Sequence, residues 1–262
     1  MNLQNKNNSK LKAGIFGISG CSGCLLSILF EDTFKKINDL LEIKSFPLIK
    51  EDKYKGDFDI VFIEGTVVFD DDIIFLDEIR KRSKIVAALG ACSCFGGVPS
   101  IKNFKDDEKT MRFVYPKHNH LKSEKPTPIN LHIKVDYYLP QCPPNKEEIV
   151  SFVNHLASGT QFKNCQDPVC MECRKKGNAC LLEEGELCLG PVSNGGCSAL
   201  CPSNGVGCYG CRGPSKDANM NAYTANLKKR GYNKKSIKDK METFAGLSFE
   251  EEMEKDSKWL GK

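Results

Sequence analysis

The sequence predicts an α/β protein built on a doubly wound parallel sheet, followed by an irregular segment that is rich in cysteine. Two observations carry this expectation. In the first half, short apolar runs alternate with stretches whose apolar residues recur at helical spacing. After residue 159, Cys, Gly, Pro and Asn become frequent, and neither a helical nor a strand period is evident. A segment of that composition builds no apolar core of its own, so we expect bound metal and the first domain to hold it.

The predicted elements follow in order along the chain. Strands are expected at residues 13–19, 45–49, 59–64, 84–89 and 135–139, and helices at 25–41 and 146–156, with a further helix that follows Asp70–Asp72 and runs to about residue 81. Asp70 and Asn145 stand where a helix N-terminus favours a carboxylate or a capping amide. The polar stretch 99–130 is expected to form a long loop. The predicted domains are residues 1–158, 159–214 and a charged, helical tail at 215–262.

The tail admits two interpretations. Its Lys-rich and Glu-rich segments favour a solvated surface helix, and the alternative is a contact surface for another subunit. The four histidines, His118, His120, His132 and His155, lie outside the cysteine framework and receive no role.

Composition narrows the class of protein. The 262 residues carry a net charge of only +4, with acidic and basic residues interspersed, which does not favour nucleic-acid binding. No apolar run reaches membrane-spanning length, and the polar start MNLQNKNNSKLK has no signal-peptide pattern, so a cytoplasmic protein is expected. In a reducing compartment, 14 cysteines favour metal ligation over disulfides.

Four cysteines follow predicted strands in the first domain. The pair Cys21 and Cys24 follows the first strand, Cys92 follows the strand at 84–89, and Cys142 follows the last one. Because the carboxyl ends of parallel strands share one edge, these thiols should lie together. One compact pair plus two distant cysteines favours a cubane iron–sulfur cluster, since zinc sites more often use two compact pairs. Glu64 ends another strand at this edge, either as a proton relay or cluster-tuning group or as a cap for local amides.

A second set of cysteines lies in the irregular segment. It contains eight thiols: Cys170, Cys173, Cys180, Cys188, Cys197, Cys201, Cys208 and Cys211. Eight thiolates make two complete four-ligand sets, which bind zinc or iron–sulfur clusters and are poor ligands for calcium or magnesium. A zinc-bound structural or interaction module and a freestanding iron–sulfur carrier therefore stand as alternative functions.

The motifs around these cysteines resemble those of one family. G-C-S-G-C at 20–24, F-I-E-G at 62–65, G-A-C-S-C-F-G-G at 90–97 and Q-C-P-P at 141–144 resemble the small subunit of nickel–iron hydrogenases. P-V-C-M-E-C, L-C-L-G-P-V, G-G-C-S-A-L-C-P and C-Y-G-C-R-G are similar to its soluble cytoplasmic branch, which includes the sulfhydrogenase delta subunit and methanogen small subunits. The resemblance covers residues 13–214, in order. The related small subunits of complex I-like enzymes resemble the first domain alone.

The resemblance implies a flavodoxin-like domain and three 4Fe–4S clusters. Its proximal cluster would be held by Cys21, Cys24, Cys92 and Cys142, its distal cluster by Cys170, Cys173, Cys180 and Cys188, and its medial cluster by Cys197, Cys201, Cys208 and Cys211. The nickel–iron site would belong to a separate large subunit, and none is expected on this chain. Electrons would pass between that subunit and a flavin or iron–sulfur acceptor subunit during reversible H2 oxidation. The final acceptor stays open among a nicotinamide, the deazaflavin coenzyme, a ferredoxin and a disulfide reductase.

The pattern departs from that of membrane-associated members at two places. Those members hold the distal cluster with one histidine, where Cys170 stands here, and their medial cluster has only three cysteines. The additional thiolates imply that all three clusters are 4Fe–4S, with reduction potentials lowered by anionic ligation. Cys94 and Cys165 are left without a role.

Overall fold

The computed structural model describes residues 10–51, 53–115 and 124–260, with the side chains at 107, 108 and 256–260 outside that description. His118, His120 and most of the polar N-terminal segment also lie outside the described residues. The chain divides into two compact units. The first comprises residues 1–94 and 126–164, and the second comprises residues 95–125 and 165–262.

The first unit is built on one parallel sheet of five strands. The strands are β1 (Leu11–Gly17), β2 (Leu41–Ser45), β3 (Phe58–Glu64), β4 (Ser83–Leu89) and β5 (Tyr137–Leu139). Their order across the sheet is β2-β1-β3-β4-β5, which is the flavodoxin-like doubly wound order. The predicted fold class is therefore confirmed.

Helices accompany the strands of this sheet. They are α1 (Gly23–Leu29), α2 (Glu31–Leu40), α3 (Asp70–Lys81), α4 (Gly90–Phe95) and α6 (Lys146–Ala157). The helix predicted at 146–156 is confirmed to within a residue, and the helix expected after Asp72 begins earlier, at Asp70, and ends at Lys81 as expected. Asn145 caps α6, because its side-chain oxygen accepts the Glu147 N–H at 2.8 Å.

Burial on both faces explains why the central strands read as continuous apolar runs. One core contains the side chains of Ala13, Ile15, Ile60, Phe62, Ala87 and Leu89 from the sheet, with Ile28, Ile37 and Phe152 from the helices. On the neighbouring strand positions, Phe16, Val61 and Ile63 are also buried. Such a sheet is rigid, and it fixes the places where its strands end.

Two elements of the first unit depart most from the predictions. The helix expected at 25–41 is interrupted at Phe30, whose backbone is extended at φ −57° and ψ 134°. The strand expected at 45–49 instead begins at Leu41, directly after α2 ends. No glycine or proline separates this helix from the strand, so the composition does not mark the change.

The second unit contains the irregular cysteine-rich segment and the tail. Its helices are α5 (Asp107–Val114), α7 (Val169–Lys175), α8 (Leu200–Ser203), α9 (Met220–Lys229) and α10 (Lys234–Leu260), with 3-10 turns at Val98–Phe104 and Gly190–Val192. The long loop expected at 99–130 thus includes helical turns, and the irregular segment includes a short helix at α7. In the described ranges, no helix is long and apolar enough to cross a membrane.

The tail supplies the second unit with an apolar core. Met220, Leu227, Ile237, Met241, Ala245 and Phe249 pack in one cluster with Leu189 and Val192 of the cysteine-rich segment. The tail is helical as predicted, but the expectation of a purely solvated surface helix is wrong. Lys105 also reaches Asp239 at 3.3 Å and the buried Glu242 at 3.4 Å, which ties the segment near residue 100 to α10.

We predict that Ile15→Ala destabilises the first unit by about 2–5 kcal/mol, because a fully buried aliphatic side chain leaves a cavity behind. Urea unfolding of the anaerobic protein, followed by circular dichroism, measures the change. The matched control is Leu48→Ala, since Leu48 is an exposed leucine whose removal should change the unfolding free energy by no more than about 0.5 kcal/mol. Equal effects of the two substitutions would contradict the burial of β1.

Candidate metal centres

Four cysteines of the first unit meet at the carboxyl edge of the sheet. Cys21 follows β1, Cys24 lies in the first turn of α1, Cys92 lies on α4 directly after β4, and Cys142 follows β5. We call these four residues the proximal group. Cys24 and Cys92 are buried, whereas Cys21 and Cys142 are exposed. The predicted convergence of strand ends therefore brings two buried and two accessible thiols to one edge.

Mutual repulsion identifies the proximal group as near neighbours. Burial raises the pKa of Cys24 far above the usual thiol range, and the charges of Glu64, Cys92, Cys142 and Cys21 raise it further. The pKa of Cys142 is raised by burial and then by Cys21 and Glu64. Deprotonating these thiols together is disfavoured, and a cation bound among them reduces the repulsion and favours their deprotonated forms.

The backbone at this edge leaves room for the sulfur atoms. Gly90 adopts φ +88°, and a Cβ atom there would overlap the Sγ of Cys24. Glycine tolerates that conformation without steric cost, and here it is also needed for space. The Ala91 N–H donates to the carbonyl oxygen of Gln141 at 3.0 Å, which joins the segments carrying Cys92 and Cys142.

Glu64 is a buried carboxylate at the same edge. It is 1 % exposed, and no hydrogen bond of ordinary geometry reaches either of its side-chain oxygens from the described residues. Burial raises its pKa, and the nearby backbone N–H of Ser22 lowers it in part. Its carboxylate lies near Cys24 and Cys142, whose pKa values it raises.

The first half of the cysteine-rich segment forms a second set of neighbours, the distal group, made of Cys170, Cys173, Cys180 and Cys188. Cys170 and Cys173 lie on α7, and the other two follow in irregular chain. Burial, with the charges of Cys188, Cys173 and Cys180, raises the pKa of Cys170 to about 11. Polar groups of the same segment point at these sulfurs. The Gly190 N–H donates to the Sγ of Cys188 at 3.5 Å, and the side-chain amide of Asn178 donates to the Sγ of Cys173 at 3.5 Å.

The remaining four residues, Cys197, Cys201, Cys208 and Cys211, are the medial group. Burial raises the pKa of Cys208 beyond the ordinary thiol range, the Gly210 N–H lowers it in part, and Cys188, Cys211 and Cys197 raise it. Cys201 lies on the short helix α8, directly after the loop that carries Cys197.

A hydrogen bond joins the distal and medial groups. The backbone N–H of Cys208 donates to the Sγ of Cys188 at 3.2 Å, and the Leu189 N–H donates to the carbonyl oxygen of Cys208 at 2.9 Å. Tyr223 donates its hydroxyl to the carbonyl oxygen of Cys188. A sulfur of one group is therefore separated from a backbone atom of the other by one hydrogen bond.

Two charged residues at this place were missed by the sequence analysis. Burial raises the pKa of Cys197, as does the Glu172 carboxylate, while the Arg212 guanidinium lowers it. Both residues stand inside cysteine motifs, Glu172 in C-M-E-C and Arg212 after C-Y-G-C. The sequence feature that could identify them is the presence of a charged residue in each of these cysteine motifs.

The other two cysteines, and the two histidines within the described residues, have local partners. Cys94 is buried and donates to the carbonyl oxygen of Ala88 at 3.6 Å, and Cys165 donates to the carbonyl oxygen of Asp167 at 3.8 Å. His132 bonds the Thr127 hydroxyl and His155 bonds the Ser151 carbonyl oxygen, both at 2.8 Å. Over the described ranges, no three His, Cys, Asp or Glu side chains are placed to hold a single metal ion.

The donor set suits iron–sulfur clusters. Each group presents thiols, several of them buried, and backbone N–H groups point at sulfurs in the second unit. Thiolate ligation with N–H donors to sulfur is the environment in which protein-bound iron–sulfur clusters are held and tuned. Thiols at the carboxyl edge of a parallel sheet, followed along the chain by a cysteine-rich unit, are the arrangement expected of an iron–sulfur redox subunit.

Comparison with known proteins agrees with this class. The family model described as NADH ubiquinone oxidoreductase, 20 Kd subunit, matches residues 21–156, which contain the proximal group. Sulfhydrogenase 2 subunit delta of Pyrococcus furiosus is 36% identical over 80% of this chain and 89% of its own length. A vhu subunit of the F420-non-reducing hydrogenase of Methanocaldococcus jannaschii is 34% identical over 83% of this chain and 87% of its own length. This chain belongs to the family of the NADH ubiquinone oxidoreductase 20 Kd subunit, and within it to the hydrogenase small subunits.

A solved structure supports the same assignment. A chain of an NAD+-reducing [NiFe]-hydrogenase in the H2-reduced state is 29% identical, with a TM-score of 0.51, and the match covers 58% of this chain and 94% of the other. The resemblance to hydrogenase small subunits is thus confirmed for the family and for the fold.

We predict that Gly90→Ala prevents assembly of metal at the proximal group and leaves the distal and medial groups loaded. The added Cβ would overlap the Cys24 sulfur, so iron bound per chain should fall by about four. Gly185→Ala is the control, because Gly185 has a similar φ of +85° but open space around its Cα. Iron analysis of both anaerobically purified variants measures the difference, and a full iron complement in Gly90→Ala would contradict the proximal assignment.

Proposed function

We propose that this chain is the electron-transfer subunit of a nickel–iron hydrogenase and holds three 4Fe–4S clusters. The proximal, distal and medial groups would each hold one cluster through their four cysteines. When bound, such clusters take up and release single electrons at low potential. The subunit would relay electrons between the H2-converting large subunit and an acceptor subunit.

One observation supports this proposal most strongly. Most thiols of the three groups have other cysteines of these groups as neighbours, as the effects of those cysteines on the pKa values of Cys24, Cys170 and Cys208 indicate. The hydrogen bond from Cys208 to Cys188 supports close succession of the medial and distal groups. Short separations between sites are what a chain of one-electron carriers requires.

The residues of this chain would perform three tasks in that role. The cysteines hold the iron, and burial of Cys24, Cys92, Cys188 and Cys208 excludes water from part of each group. Backbone N–H groups of Gly190, Cys208 and Gly210 donate to sulfurs and stabilise the reduced, more negative state. Glu64 would act beside the proximal group as a tuning or proton-relay carboxylate.

The proposed partners follow from this role. The proximal group lies at the sheet edge with two exposed thiols, where a large subunit bearing the nickel–iron site would dock. The acceptor would be a cytoplasmic flavin or iron–sulfur subunit that passes electrons to a nicotinamide, the deazaflavin coenzyme, a ferredoxin or a disulfide reductase. The relatives named as F420-non-reducing hydrogenases and the NAD-reducing hydrogenase illustrate how such acceptors differ between members.

We predict that H2 reduces the metal centres of this chain only within its complex. Anaerobic isolation through a tag on the chain should yield a brown assembly that contains a nickel-bearing subunit. Its visible absorbance should bleach under H2, because electrons reach the clusters from the partner's active site. The isolated chain should bleach with dithionite and stay unchanged under H2.

The alternatives give different results in the same measurement. A zinc-bound module would be colourless and would carry zinc instead of iron. A freestanding carrier would purify without a nickel-bearing subunit. Either result would end the proposal, as would a nickel-containing complex whose absorbance does not respond to H2.

A further inference from the structure

The loop that carries Cys197 has an unusual backbone. Gly196 lies at φ +100°, and it is followed by Ser198 at φ +55° and Ala199 at φ +48°. Residues that carry a Cβ atom, such as serine and alanine, rarely adopt the left-handed backbone conformation. Two successive residues keep it only where surrounding contacts stabilise it. Ala199 is fully buried, so solvent does not satisfy its backbone. The loop between the distal and medial cysteines therefore depends on a specific partner.

Glu172 is that partner. One carboxylate oxygen accepts the Gly196 N–H at 2.6 Å, and the other accepts the Ala199 N–H at 2.9 Å. The second oxygen also lies 3.8 Å from the Sγ of Cys197. One side chain thus holds both ends of the left-handed loop and places a carboxylate next to a medial sulfur.

The position of Glu172 joins the two groups in the second unit. It lies on α7 between Cys170 and Cys173, which belong to the distal group. Its hydrogen bonds end on the loop of Cys197, which belongs to the medial group. A displacement of the distal helix would therefore displace the medial loop.

Arg212 lies on the other side of the same peptide. Its Nε–H donates to the carbonyl oxygen of Gly195, and Glu172 accepts from the N–H of Gly196, so the Gly195–Gly196 peptide unit is bound at both polar atoms. The Arg212 side chain is among the largest that are fully buried. The buried Arg212 guanidinium and the Glu172 carboxylate thus lie on either side of the chain just before Cys197, and they shift the pKa of Cys197 in opposite directions.

We propose that Glu172 is a positioning residue for the medial cluster and that its carboxylate holds the reduction potential of that cluster below the value it would have otherwise. This inference rests on the proposed function, because it requires a cluster at the medial group. Adding an electron beside a fixed negative charge is disfavoured, and a charge within a few ångströms of one ligand sulfur acts mainly on that cluster. Hydrogen bonding to two loop amides adds a separate role, which is to keep Cys197 in place.

The test uses the holo-complex with Glu172→Gln, which keeps the shape of the side chain, removes its charge and leaves one oxygen to accept from a single loop amide. Redox titrations followed by electron paramagnetic resonance should show the medial midpoint potential shifted to a more positive value, by more than the distal and proximal ones. Glu184→Gln is the control, since it removes the same charge from an exposed residue of the second unit. It should leave the medial potential unchanged.

A second variant separates positioning from charge. Glu172→Asp keeps the charge, but its shorter side chain cannot reach both loop amides. Its medial potential should stay close to that of the unsubstituted protein, while the medial iron should be lost to a chelator several-fold faster. Loss of medial iron alone in Glu172→Gln supports the positioning role as well.

Two results would overturn the inference. One is an unchanged medial potential in a fully loaded Glu172→Gln complex. The other is a Glu172→Asp protein that resists the chelator as well as the unsubstituted one. If the unsubstituted complex holds no medial cluster, the proposed function fails instead, and iron analysis of that complex distinguishes the two cases.

Discussion

The rest of the structure depends on the crowding of sulfur at low exposure. Thiol groups that lie close together and are buried resist deprotonation, as the raised pKa values of Cys24, Cys170 and Cys208 indicate. Such groupings are costly as free thiolates and become favourable when cationic metal is bound. In each group, some thiols lie on a helix or at the end of a strand. Glycines near them leave space for sulfur, or backbone N–H groups donate to it.

In the first unit that rigid element is the sheet. Strand ends determine where Cys21, Cys24, Cys92 and Cys142 lie, so their convergence follows from apolar runs and the rule that parallel strands share a carboxyl edge. The sequence therefore predicts well which thiols lie at this edge. It does not predict the break at Phe30 or the start of β2 at Leu41, because neither is marked by a residue that favours a turn. Nor does it indicate how deeply the Glu64 carboxylate is buried, which depends on contacts distant in the chain.

The second unit is less predictable for a physical reason. Its cysteine-rich segment has no helical or strand periodicity, so only the number and spacing of its thiols are informative. They indicate two sets of four cysteines, but not which other residues pack around them. The structure adds that Met220, Met241 and Phe249 of the charged tail pack on Leu189 and Val192. The apolar face of the tail is not evident from the sequence, because its few apolar residues are spread among many lysines and glutamates. The 3-10 turn at Val98–Phe104 likewise packs on α10, which the order of residues along the chain does not reveal.

The central claim is that three separate sulfur groups each hold a four-iron cluster. Mössbauer spectroscopy of the anaerobically isolated complex, with iron and sulfide counted per chain, tests it most directly. The account predicts about twelve irons per chain, all in cubane environments, after the partner subunits' own iron is subtracted. About four irons with zinc in the second unit, or a three-iron signal from the medial group in freshly isolated protein, would contradict it.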